Sequence, residues 1–136
     1  RRLGAQRLRQ LRAEGGDAGF WPAPREAEAV TAKDICMAAQ AGDGTAQAIV
    51  EESAAYLGMG LSVLIDLFNP ERIVIGSIFA RAEALFRPGM EAVIAREALA
   101  QSAAVCRVVP AQLGDSIGDV AALTIAIELF KKASSR

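Results

Sequence analysis

Two short stretches of this 136-residue chain hold the residue types that binding a phosphate would use. The first is Gly76-Ser77-Ile78, directly after the apolar run Ile73-Val74-Ile75. The second is Leu113-Gly114-Asp115-Ser116-Ile117-Gly118, between a second apolar run and the last helical segment. Glycine has no Cβ, so a ligand can approach its backbone closely. A helix starting just after such glycines offers unpaired N–H groups and the positive end of its dipole to an anion. Each stretch alone is a weak signal, because a glycine after a strand is more often structural.

The other candidates fall away. Asp115 and Asp119, four residues apart around a helix start, read as caps rather than as an acid–base pair. Asp66 sits at the edge of a long apolar helix, and Glu51 and Glu52 read as solvent-facing helix charges. There is no histidine. The two cysteines, Cys36 and Cys106, are too few for a four-thiolate site, and each lies in an apolar run as a buried free thiol does. These absences argue against a self-contained metalloenzyme and a triad hydrolase. No catalytic residue and no metal ligand is assigned.

The elements that must position the two stretches follow from periodicity. Residues 2 to 13 read as a helix that stops at Gly15-Gly16; residues 14 to 30 read as a long loop in which Trp21 is a hydrophobic anchor. Thr31 and Asp34 form a capping-box pattern for a helix running to about Gln40. From about Thr45 to Phe68 apolar residues recur at Ile49, Val50, Ala54, Leu57, Leu61, Leu64, Ile65 and Phe68, the stripe of a long helix. Gly58 and Gly60 weaken that helix by about 1 kcal/mol each, and their expected use is to admit another backbone. Asn69-Pro70 ends it. The run from Arg72 to Gly76 does not alternate and predicts a strand buried on both faces. A helix from about Ala84 to Ala98, a strand from Val105 to Val109 and a helix from about Ile117 to Lys132 complete a β-α-β-α unit. Two strands are too few for an independent sheet, so further strands are expected from elsewhere.

Composition agrees with an ordered, helix-rich α/β chain: 52% of residues are hydrophobic and 23% charged. Arg1, Arg2, Arg7, Arg9 and Arg12 make the first helix basic, which reads as a solvated face with no nucleic-acid contact, while Leu3, Leu8 and Leu11 dock. No run of about 18 consecutive apolar residues exists, so no membrane span is expected. A cytoplasmic setting is expected from the cysteine usage. The chain opens Arg-Arg-Leu and is expected to be a fragment.

Three segments taken together are more specific than any one. Ala54-Ala-Tyr-Leu-Gly58, Leu64-Ile-Asp-Leu-Phe-Asn69-Pro-Glu-Arg-Ile-Val-Ile-Gly76 and Val108-Val-Pro-Ala-Gln-Leu-Gly-Asp115 resemble the C-terminal portion of the ROK family of bacterial sugar kinases and sugar-responsive repressors. The resemblance is firmest from about Thr31 to Leu129. It implies the helix-rich C-terminal lobe of an actin-like, ribonuclease H-like ATPase fold. Residues 1–44 would form a helical and loop segment, and residues 45–136 the long helix plus β-α-β-α. It further implies that the parent transfers a phosphoryl group from ATP, with Mg²⁺, to a hexose or amino sugar. Gly76, Ser77, Ile78, Gly114, Asp115 and Gly118 would then lie on the nucleotide side. Ser77 and Ile78 stand where the family usually has further glycines, and Ala121 where it often has another. The family's phosphate loop, catalytic Asp, sugar-binding residues and His/Cys zinc motif have no counterpart here, so the fragment is expected to be inactive alone. A homodimer is expected by the same resemblance. The alternative expectation is the effector-binding and dimerisation lobe of a repressor.

Overall fold

The computed structural model describes residues 30–112 and 116–134, with Gln6, Gln10 and Ala13. The first helix, the loop with Trp21, and Leu113, Gly114 and Asp115 fall outside the described residues, apart from those three positions.

Helix α1 (Ala32–Gln40) starts on a complete capping box: Thr31 Oγ1 accepts from the Asp34 amide at 3.2 Å, and the Thr31 amide donates to Asp34 Oδ2 at 2.9 Å. Each group satisfies a donor that the helix start would otherwise leave unpaired. Helix α2 (Gly44–Phe68) is capped by Asp43, whose Oδ1 accepts from the Ala46 amide at 2.8 Å. It ends at Asn69, left-handed at φ 43°, just before Pro70. By length and composition α2 would suffice to cross a membrane, although the chain has no unbroken apolar run. Its inner face lies in the protein core, packed against α3.

Strand β1 (Arg72–Ile75) leads into helix α3 (Ser77–Glu97), a short helix α4 (Ala100–Val105), strand β2 (Arg107–Pro110) and helix α5 (Ile117–Ser134). The strands pair in parallel, with Ile73 opposite Val108 and Ile75 opposite Pro110. Helix α3 begins seven residues before the Ala84 start that periodicity suggested, because the turn after Gly76 winds directly into helix. The two helical pieces meet at Ala82, whose φ of −128° and ψ of 30° are non-helical. Helix α4 was not anticipated. It takes in Val105, assigned from sequence to the second strand, and has no side-chain cap of its own. Instead, Asp66 Oδ1 on α2 accepts the Leu99 amide at 2.9 Å, across 33 residues of chain.

The core lies between α1, α2 and α3. Ala46, Ile49, Val50, Ala54, Leu61 and Ile65 of α2 meet Phe79, Phe86, Met90 and Ile94 of α3, with Ile35, Cys36 and Ala39 of α1 closing one end. Helices α2 and α3 touch at small residues. A Cβ placed on Gly58 would lie 2.7 Å from the Met90 carbonyl oxygen, and one on Gly89 would lie 3.1 Å from Ala54 Cβ. Gly58 therefore admits the α3 backbone, as expected. Gly60 does not: nothing lies within 4 Å of its Cβ position.

Two burial expectations are corrected. Leu64 and Phe68, placed on the inner stripe from spacing, are 42% and 71% exposed. β1 is covered on one face: Ile73 and Ile75 pack on the core, whereas Val74 is 60% exposed. The second face has no covering layer among the described residues, so the strand alternates. Ile127 and Phe130 of α5 are exposed among the described residues.

The two edges of the sheet differ. The Arg107 amide donates to the Glu71 carbonyl at 3.0 Å and the Ala111 amide to the Ile75 carbonyl at 2.9 Å. Strand residues alternate in direction, so Val108 turns its N–H and C=O away from β1. Arg87 Nη2 of α3 donates to that outward Val108 carbonyl at 3.2 Å. Arg87 is itself held by Glu83 and Glu91, one helical turn to either side.

Candidate functional site

Because β1 and β2 are parallel, their C-terminal ends lie side by side, and ligands of open α/β sheets bind at such ends. The Ala111 to Ile75 hydrogen bond carries the pairing past the last residue of β2. A Cβ on Gly76 would stand 3.8 Å from Ala111 Cβ, an ordinary contact. The structure thus sets Gly76 against Ala111, two residues before the second candidate stretch.

Gly76 is extended, at φ −94° and ψ −157°, and forms the N-cap of α3 without a side-chain hydrogen bond. The next residue carries the unusual geometry. Ser77 has φ 56°, in the left-handed region that glycine enters freely and other residues enter at a cost. Ser77 is exposed. Gly76-Ser77 is therefore not an open loop but a tight strand-to-helix corner, with the first amides of α3 behind it. Ile78 differs: its side chain is partly buried and packs against the core, so it anchors the corner. Of the second stretch, Gly114 and Asp115 lie outside the described residues. Gly118 is exposed in the first turn of α5, with nothing within 4 Å of its Cβ position.

Among the described residues neither cysteine is activated for covalent chemistry. Burial pushes both the Cys36 and the Cys106 thiols up from their ordinary value, the opposite of what a nucleophilic thiolate needs. Both cysteines are free. Among the described residues no three His, Cys, Asp or Glu side chains gather to hold a metal ion. A Mg²⁺ accompanying a nucleotide would find no carboxylate cluster among the described residues. A phosphate fits better, since the corner offers backbone N–H groups and a helix dipole.

Arg87 escaped attention in the sequence, although Glu83, Arg87 and Glu91 have the i, i+4 spacing that signals helical ion pairs. Hydrogen bonding to Glu83, then to Glu91, raises its pKa further. With both carboxylates and the Val108 carbonyl on it, Arg87 is a structural clamp, and it lines a cavity of about 430 Å³ with Ile65, Ile94, Cys106 and Val108.

Comparisons with known proteins bear on this corner. The N-acetylglucosamine repressor NagC of Escherichia coli is 38% identical over 69 residues, 51% of this chain and 17% of the repressor. A glucokinase of Halalkalibacterium halodurans is 42% identical over 60 residues, 43% of this chain and 18% of the enzyme. Among solved structures, a ROK-family transcriptional regulator homologous to the E. coli Mlc protein superposes with a TM-score of 0.66 at 27% identity, over 79% of this chain and 26% of the regulator. A protein assigned as a sugar kinase of Cytophaga hutchinsonii superposes with a TM-score of 0.70 over 84% of this chain and 37% of its own; at 17% identity it speaks to the fold alone. The chain thus corresponds to less than a fifth of the curated relatives. The sequence model of the ROK family matches residues 6–129, and the chain belongs to that family.

Proposed function

We propose that this chain is the nucleotide-side lobe of a ROK sugar kinase. In this reading it forms part of an actin-like, ribonuclease H-like fold whose remaining residues supply the catalytic base and the sugar site. The observation that carries the reading is the backbone of Ser77. By the resemblance, the family usually has glycine after Gly76, and Ser77 adopts the left-handed conformation that glycine enters freely. The amides behind Gly76 and those at Gly118 would cradle the phosphates of ATP, with Gly114 and Asp115 beside them. ATP supplies the phosphoryl group, and Mg²⁺ enters with it. The lobe's own contribution is positioning and charge stabilisation, which dominate phosphoryl transfer.

Titration with Mg-ATP tests this. It should move the amide resonances of Gly76, Ser77 and Ile78, and a polypeptide that joins this lobe to the rest of a ROK fold should form a sugar phosphate from a hexose panel. A second reading, the effector and dimerisation lobe of a sugar-responsive repressor, has the likeness to NagC and the Mlc homologue behind it. Silence of those amides toward Mg-ATP, with no sugar phosphate formed, would select that reading.

A further inference from the structure

We propose that Arg87 guards the outward edge of β2: held between Glu83 and Glu91, it occupies the backbone carbonyl through which another strand would pair. Among the described residues β2 has a strand on one side only. Arg107 and Ala111 give their amides to Glu71 and Ile75 on the β1 side. Cys106, Val108 and Pro110 therefore turn theirs outward. The Cys106 amide is already spent on the Ser102 carbonyl at 3.1 Å, as the C-cap of α4. Pro110 has no amide hydrogen to give. That leaves Val108, with one N–H and one C=O, and its carbonyl accepts from Arg87 Nη2 at 3.2 Å.

The guanidinium is set in place by its own helix. Arg87 Nε donates to Glu83 Oε1 at 2.9 Å, Nη1 reaches Glu91, and Nη2 is shared between Glu83 and Val108. All three nitrogens are thus bonded, with a carboxylate one turn to either side on α3. A free arginine would lose rotamer freedom on reaching for a strand edge; this one is already ordered. An incoming strand would have to displace a cation that two carboxylates hold, in exchange for pairing at Val108 alone. A charge at the edge, a proline in it and a helix folded across its start are separate ways of blunting an edge strand, and β2 combines them. This holds for a kinase lobe and a repressor lobe alike, since no residue of the Gly76 corner takes part.

Hydrogen exchange at the Val108 amide, with sedimentation of the whole chain, tests the proposal. A residue that merely ties α3 to β2 would, when removed, loosen the strand and speed exchange at Val108. Removing a guard slows it, because a new strand covers that amide. In the natural sequence the Val108 amide should exchange at the same rate at ~5 and ~100 μM. Arg87→Ala combined with Pro110→Val, which restores the missing amide, should show about tenfold slower exchange at the higher concentration, together with faster sedimentation. Arg87→Lys keeps a cation and a donor and should behave as the natural sequence does. Arg87→Gln keeps length without charge and is read in the same way where the double variant does not fold. The proposal is overturned if exchange at Val108 in a folded Arg87→Gln or double variant is equal at both concentrations, or if Arg87→Lys associates as strongly as Arg87→Gln.

Discussion

The two faces of α2 use the same small residue for different ends. On the inner face Gly58 lies where a Cβ would come within 2.7 Å of both the Met90 carbonyl oxygen and Val93 Cβ, so two helices meet backbone to backbone. On the outer face Gly60 meets nothing. A glycine inside a helix costs about 1 kcal/mol relative to alanine wherever it stands. At Gly58 close packing of α3, with Met90 fully buried beside it, offsets that cost. At Gly60 nothing among the described residues offsets that cost. The residue type alone therefore does not tell whether a helical glycine is structural; what occupies the space of its missing methyl does.

This contrast is open to direct test. Gly58→Val should be the most damaging change, lowering stability by ~3 kcal/mol or more through overpacking, read as a large fall in the urea midpoint. If Gly58→Val were tolerated like a surface change, the close approach of α2 and α3 would be wrong. Gly60→Ala should act in the opposite direction, adding about 1 kcal/mol. Ser77→Gly sharpens the comparison at a third position. It relieves a left-handed serine, so a gain of about 0.5 kcal/mol is expected in thermal melts, with Mg-ATP perturbing the same amides as before. The smallest effect concerns pH. Burial raises the Cys36 thiol above its ordinary value of 9.0, so the unfolded chain loses this proton first. Stability is then unaffected by this group below that value and falls as pH rises above it. Cys36→Ala should remove that part of the alkaline loss in melts taken across pH 8 to 10.

Much of the architecture was legible because it rests on local rules. Thr31 with Asp34 and Asn69 before Pro70 mark their helix ends within a few residues, and the inner stripe of α2 follows from its period. The family match likewise confirms the resemblance carried by the run from Leu64 to Gly76. What escaped reading depends on distant partners. α4 is held by Asp66 from another helix, so no local capping signal announces it. Spacing could not separate Leu64 from Leu61, since both fit a broad apolar stripe and only the position of α3 decides which is covered. At the candidate site, Gly76 and Ser77 were found as residues, but the left-handed turn at Ser77 was not, because serine gives no hint of positive φ.

The clamp made by Arg87 gives the small sheet a handed future. β2 has its outward carbonyl at Val108 occupied by a guanidinium that two glutamates hold in place. β1 has β2 on one side and, among the described residues, no strand on the other. One margin is thus gated by charge, as natural edge strands often are. The other still presents the backbone of Arg72 and Val74. Among the described residues, the margin left open to a further strand is that of β1, where Val74 stands exposed.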